Sequence, residues 1–313
     1  MTTFDLSMIP AQEGVYLVGG SLRDALLGRT PLDYDIVVRE NPLTFAGEIA
    51  AQRKGRLVFM GQPGRRLIRI VFKDTCWDVS AMKGRSIEAD LSRRDFTINA
   101  LAYETATGKL IDISEGLDDF KKRRIRMVSA SIFQEDPLRL LRAYRLAASL
   151  GFNLDSATAG CIQRDAPLIR HTAGERIRDE WFKLLSLPNA SPFIGRMQSS
   201  GLLFELLPEL AALKGSCRNR HHAYDALEHT LEAFDAMETL LNTVGSQFPE
   251  YADPLNHWFD PPRKPLLKCA VLLHDIGKPL CETRDESGNA HFFGHPRTGS
   301  MLAEEIGRRL RFS

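Results

Sequence analysis

A chain of 313 residues is long enough for two or three packed domains, and 43% hydrophobic with 26% charged residues is the balance of an ordinary soluble globular protein. A formal net charge of +1 excludes polyanion binding by bulk charge, so any nucleic-acid contact must come from local clusters of cations. The five cysteines (Cys76, Cys161, Cys217, Cys269, Cys281) form no Cys-x-x-Cys pair, the N-terminus has no signal-peptide pattern and no apolar run could span a bilayer, which together indicate a cytoplasmic protein with reduced thiols and no membrane partner.

Val15 to Val18 is a short apolar run that ends in Gly19-Gly20 and reads as a strand, and Ser21 to Leu27 has helical spacing closed by Gly28. Ile36 to Val38, Leu67 to Phe72 and Trp77 to Val79 carry strand patterns, so the first 125 residues or so read as an α/β domain. From Asp136 the pattern turns helical: an Asp cap is followed by Pro137 at the first helical position, apolar residues recur through Leu150, and Gly151 supplies the stop. Further helices are expected through Leu185 and from Ser200 to Leu213. After a polar break at Lys214 to Arg220 another helical block runs to the C-terminus.

The densest chemistry lies in Leu17-Val-Gly-Gly-Ser-Leu-Arg-Asp-Ala-Leu-Leu-Gly-Arg and the following Asp33-Tyr-Asp35. Glycines permit close backbone approach, the free N–H groups of a starting helix favour phosphate, and Arg23 stands one turn in. Asp33 and Asp35, two apart beside a strand, send both carboxylates to one side, which suits Mg²⁺. A Gly-Gly turn alone or an Asp-x-Asp loop alone is commonplace; their order and tight spacing are not.

These residues resemble the class II tRNA nucleotidyltransferases and bacterial poly(A) polymerases, of the polymerase-β superfamily. The resemblance continues in order through Asp90-Leu-Ser-Arg-Arg-Asp-Phe-Thr-Ile-Asn-Ala, Glu135-Asp136-Pro-Leu-Arg139-Leu-Leu-Arg142-Ala-Tyr-Arg145 and Glu175-Arg176-Ile-Arg178-Asp-Glu-Trp-Phe-Lys-Leu-Leu. It implies an α+β fold: a polymerase-β-type head over 1–130, an all-α neck over 131–213 and an α-helical HD-type domain over 214–313. It also implies roles. Gly20 and Arg23 would contact the nucleotide, Asp33 and Asp35 would be catalytic and hold Mg²⁺, and Arg94 would sit on the ribose or phosphates. Asp136 and Arg139 would read the base edge, with Arg142 and Arg145 along the same site.

That last assignment is chemically coherent, since an aspartate accepts from an exocyclic amino group and an arginine donates to ring nitrogens or carbonyls. Steps of three from Arg139 to Arg145 keep the guanidinium groups on one helical stripe. Asp136 reads alternatively as a helix cap and the arginines as a solvated face. Asp95 and Asn99 fit structural hydrogen bonding and nucleotide contact equally, and Asp78 is a candidate third carboxylate or a turn residue. Lys121-Lys-Arg-Arg-Ile-Arg126 is either a phosphate-tracking run or a solvated turn. Gly61-Gln-Pro-Gly-Arg-Arg-Leu-Ile-Arg departs from the usual family wording, which bears on which nucleotides are added.

Seven of the eight histidines fall between 221 and 295. His274-Asp275 follows an apolar helix, with His229 upstream and His291 and His295 downstream. This pattern resembles an HD metal-dependent phosphohydrolase domain, whose ligands here would be His229, His274, Asp275 and His295, suited to Mn²⁺ or Ni²⁺. No aspartate follows His295, so the usual last ligand is missing and the domain reads as truncated. His221, His222 and His257 read as surface or structural. The function implied is template-independent addition of CCA, CC or A to tRNA from CTP and ATP. The alternatives are poly(A) addition or phosphoester hydrolysis through the HD region. The oligomeric state is not written in the sequence.

Overall fold

The computed structural model describes residues 9–31, 33–60, 67–216, 225–259 and 263–312. Two units, Met1–Ile132 and Phe133–Ser313, each have their own internal packing.

The first unit is built on a sheet of β1 (Val15–Val18), β2 (Asp33–Val38), β3 (Arg56–Met60), β4 (Leu67–Val71), β5 (Cys76–Ala81), β6 (Leu101–Glu104) and β7 (Leu110–Asp112), in the order β3-β4-β5-β2-β1-β6-β7. The β2–β5 pair is parallel and every other neighbour is antiparallel, so strand–helix alternation along the chain produces a mixed sheet. Strand alternation divides the side chains cleanly. Leu17, Tyr34, Ile36, Ile70, Trp77 and Val79 face a core closed by Leu22 of α1 (Gly19–Leu26) and by Phe45, Ala46 and Ile49 of α2 (Pro42–Arg53). The opposite face carries Tyr16, Val18, Val37 and Ala102 against Ile87 and Leu91 of α3 (Ile87–Leu91). A last helix, α4 (Gly116–Lys121), precedes the boundary.

Two differences from the sequence reading matter for the site. β2 extends back from Ile36 to Asp33, because β1 and β5 flank it on both sides and supply backbone partners as far as Asp35 and Asp33 respectively. Asp33 and Asp35 therefore stand within the strand rather than beside it. α1 begins at Gly19, two residues earlier than the apolar spacing indicates, with the turn at Gly28 as expected.

The second unit is helical: α5 (Ile132–Glu135) at its edge, α6 (Leu138–Leu150), α7 (Ser156–Asp165), α8 (Gly174–Leu185), α9 (Ser191–Ser199), α10 (Leu202–Leu206), α11 (Ala226–Gln247), α12 (Ala252–Trp258), α13 (Arg263–Leu273), α14 (Lys278–Cys281) and α15 (His295–Arg309). Pro137 occupies the capping position of α6, and Asp136 Oδ1 accepts the Leu138 N–H at 3.3 Å, one residue away from the expected geometry. Gly151, at φ +66°, ends α6 as expected.

A buried charge pair ties the neck helices to the HD helices. Lys268 of α13 is fully buried and donates to Glu238 of α11 and to the Leu187 carbonyl at 2.7 Å. Glu238 in turn accepts the backbone N–H groups of Ala190 at 2.9 Å and Ser191 at 2.8 Å, satisfying donors at the start of α9.

Candidate active site and metal centre

The period-2 alternation that buries Tyr34 and Ile36 sends Asp33 and Asp35 to the opposite face of β2. Parallel register sets Asp78 of β5 beside Asp35, so Asp78 lies in mid-strand rather than in a turn. Antiparallel register then sets Arg69 of β4 beside Asp78, and the guanidinium forks both carboxylate oxygens, each at 2.7 Å. The head thus presents Asp33, Asp35 and Asp78 along one face, with Arg69 already compensating the last.

Asp35 is the most constrained of them. Its Oδ2 accepts the Gly20 N–H at 3.0 Å, and its own N–H donates to Ser21 Oγ at 3.0 Å. Burial pushes its carboxyl above the ordinary carboxylate range; Arg94 opposes this, Asp78 adds to it, and the Gly20 and Ser21 N–H groups oppose it more weakly. A cation at this position would relieve that destabilised charge. Gly19 makes the approach possible: it holds φ +65°, and a Cβ there would lie 2.9 Å from Asp35 Oδ2 and 3.1 Å from Arg94 Nη1.

The cations around this face are held from behind. Arg94 leans on Asp90 through Nη2 at 3.0 Å, and Asp90 accepts the Lys83 N–H at 2.9 Å. Arg23 pairs with Asp24 at 2.8 Å and donates from Nη1 to Asn99 Oδ1 at 2.9 Å. Asn99 is anchored on buried Asp95 at 3.0 Å. This gives Asp95 and Asn99 a supporting role behind Arg23.

In the neck, Arg139, Arg142 and Arg145 share one half-buried stripe of α6. Asp136 Oδ2 is bound by Arg176 of α8 at 2.9 Å, and Arg139 lies 3.6 Å from Glu135. Arg145 is committed elsewhere: its Nε donates to the buried Glu180 of α8 at 2.5 Å. Burial raises the Glu180 carboxyl, but Arg145, Lys183 and Arg142 outweigh it and leave it below the ordinary range. The stripe is therefore as much a tie to α8 as an open surface. The basic run 121–126 is similarly divided. Arg124 and Arg126 close on fully buried Asp119 at 2.6 and 2.7 Å, so these two are structural, while Lys121, Lys122 and Arg123 remain towards solvent.

The HD residues converge. Donor atoms of His229, His274 and Asp275 all lie within 4.8 Å of one another. His295 Nε2 comes to 3.9 Å from Asp275 Oδ1. His274 and His295 place Nδ1 2.8 Å from the carbonyls of Val271 and Phe292, which makes each Nδ1 the donor and turns Nε2 towards Asp275, 3.1 Å from Oδ2 in the case of His274. Lys278 donates to Asp275 Oδ2 at 2.6 Å. Burial works to raise the Asp275 carboxyl, yet His274 and Lys278 hold it at about 2. His291 stays out of the cluster, 3.1 Å from Asp285, and His257 is exposed on α12. His221, His222 and the segment 61–66 lie outside the described residues.

Three family models match in succession: the poly A polymerase head domain over 15–126, the probable RNA and SrmB-binding site of polymerase A over 151–214, and the HD domain over 226–312. The multifunctional CCA protein of Pasteurella multocida is 31% identical, over 95% of this chain and 70% of that one. The chain belongs to the tRNA nucleotidyltransferase and poly(A) polymerase family. The CC-adding tRNA nucleotidyltransferase of Synechocystis sp. is 41% identical over 64% of this chain and 48% of that one, so the chain spans about half the length of this relative. Among solved structures, a complex of a CCA-adding enzyme with CTP superposes with a TM-score of 0.67 at 25% identity, over 96% of this chain and 63% of that one. Membership of this nucleotidyltransferase family agrees with the mixed-sheet head and helical remainder. Among the described residues no helix is long and apolar enough to cross a membrane.

Arg69 is the site residue that the sequence did not mark. Its signal was its place in an alternating strand, Leu67-Ile-Arg-Ile-Val, where a lone cation between two core isoleucines must face away from the core.

Proposed function

We propose that this chain transfers nucleotides from CTP or ATP to the 3′ end of tRNA, releasing pyrophosphate. The observation that carries this is the carboxylate face of β2 and β5 against the Gly19–Gly20 start of α1. Domains of both the head and the HD kind are metal-dependent; the choice of metal is part of the proposal. The all-oxygen donor set of Asp33 and Asp35 fits a hard cation, Mg²⁺. When bound it would supply the charge that activates the ribose 3′-hydroxyl and neutralises the departing pyrophosphate.

The protein's own part is positioning. Gly20 leaves room for a phosphate chain at the N-terminus of α1, and Arg23 and Arg94, held by Asn99 and Asp90, pair with its oxygens. Asp78 holds Arg69 level with the carboxylates rather than serving as a third metal ligand. Asp136 accepts from the exocyclic amino group shared by A and C, and Arg139 donates to ring acceptors. Arg142 and Arg145 support that helix against α8.

The His229, His274, Asp275 and His295 cluster favours a second activity, hydrolysis of a phosphoester at an RNA end. Its nitrogen-rich donor set suits Mn²⁺ or Ni²⁺.

Incorporation with Mg²⁺ on tRNA transcripts ending before CCA, after CC and after CCA tests the first reading. Growth of the first by three residues gives complete CCA addition; arrest after CC, or extension of the CC-ended RNA alone, gives partial addition. Long A tails on all three would make the chain a poly(A) polymerase. No incorporation would sink the transferase reading.

A further inference from the structure

No large hydrophobic side chain among the described residues is more exposed than Phe293, at 82%. At that exposure it adds little to the core. Its ring is nonetheless ordered against another: it lies parallel to His291, with an interplanar angle of 11° and centroids 5.5 Å apart. His291 is braced by Asp285 at 3.1 Å, and Asp285 is fixed by Asn289 N–H at 2.8 Å and Ser287 N–H at 3.0 Å. An aromatic surface with one exposed member is therefore built at the end of the short antiparallel hairpin of Thr283–Arg284 and Ala290–His291.

Its position gives that surface a use. Phe293 is two residues before His295, so the two Cα atoms are at most about 7 Å apart. His295 Nε2 points at Asp275, and Lys278, which binds Asp275, also lies 5.8 Å over the ring of Phe292. Arg297 stands exposed in the first turn of α15. Phe293 and Arg297 thus stand two residues before and two residues after His295, and Lys278 reaches Asp275 of the same cluster from α14.

We propose that the Phe293–His291 stack is a platform for the base of a nucleotide whose phosphoester lies at the His229–His274–Asp275–His295 cluster. The cluster's substrates would then be nucleotides or RNA ends, with base-free phosphoesters bound poorly. This rests on reading the cluster as a metal phosphohydrolase centre. Stacking needs a π-face and no particular hydrogen-bond pattern, so the platform accepts every base, purines more tightly than pyrimidines.

The test is binding to the full chain without added metal, so that nothing is turned over. Adenosine 3′-monophosphate is compared with glycerol 2-phosphate. Wild type should prefer the nucleotide by about tenfold, the scale of one stacked base. Phe293→Ala should erase the preference. Phe293→Trp should keep it, and the nucleotide should quench the new indole, which reports on this position even if the head also binds nucleotide. Equal preference in wild type and Phe293→Ala, with the indole unmoved, would overturn the platform. So would a shift from dimer to monomer on Phe293→Ala with base preference intact, which would mark a contact between copies. Mn²⁺ binding is followed separately by electron paramagnetic resonance. A wild type that binds no Mn²⁺ overturns the metal reading, whereas Mn²⁺ binding without base preference overturns the platform alone.

Discussion

Gly19 tolerates nothing larger than hydrogen, for two reasons that coincide: its φ is +65°, and the space a Cβ would take belongs to Asp35 Oδ2 and Arg94 Nη1. Gly19→Ala should fold, as circular dichroism would show, yet lose about 100-fold in nucleotide transfer through misplacement of the carboxylate. Asp35→Ala should abolish transfer and leave tRNA binding in a gel shift nearly intact; unchanged transfer would remove the metal assignment. Arg139→Ala belongs to a different function, base selection, and should narrow the ratio of CTP to ATP incorporation more than it weakens triphosphate affinity. The common face of Asp33 and Asp35 was legible because it follows from alternation within a single strand. Asp78 and Arg69 were not, because their places depend on register between strands that are distant in sequence.

Between elements, charges that look available are often already used. Arg145 reads on a helical wheel as part of an open basic stripe, but the carboxylate that claims it comes from α8. Likewise, two of the five cations in the run at 121–126 are absorbed by Asp119, whose burial no local pattern announces. The Glu180 carboxyl is held below its ordinary 4.5, so its pairing stabilises the fold above that pH and the contribution is lost as pH falls through the lowered value. Glu180→Gln should therefore flatten the acid limb of a plot of Tm against pH. Arg145→Ala, by stranding a buried carboxylate, should cost roughly 3 kcal/mol in denaturant unfolding. The HD centre depends on another close approach. A Cβ on Gly277 would collide with the carbonyl oxygen of His295 in α15. Gly277→Ala should displace that histidine and weaken Mn²⁺ binding about tenfold or more, measured by titration.

At the scale of the molecule, the division of helices into neck and HD region follows the sequence families, whereas the packing joins them. Glu238 of α11 meets both Lys268 of α13 and the start of α9, so the second unit should behave as one cooperative block. Burial presses the Lys268 ammonium below its usual range and Glu238 restores part of the loss. Lys268→Ala should destabilise the unit by about 3–5 kcal/mol. In hydrogen exchange, α9, α11 and α13 should lose protection together. Separate changes in α9 and α13 would show that the block divides.

The same carboxylate bears on how the protein can be taken apart. Cutting the gene after residue 213 is the obvious way to isolate a head with its neck, since both family models end by 214. Such a fragment would lack Glu238 and Lys268, leaving the Ala190 and Ser191 amides without the first and the Leu187 carbonyl without the second. A head-and-neck fragment would have to be redesigned at the start of α9, with a capping residue of its own, before its solubility or activity said anything about the whole chain.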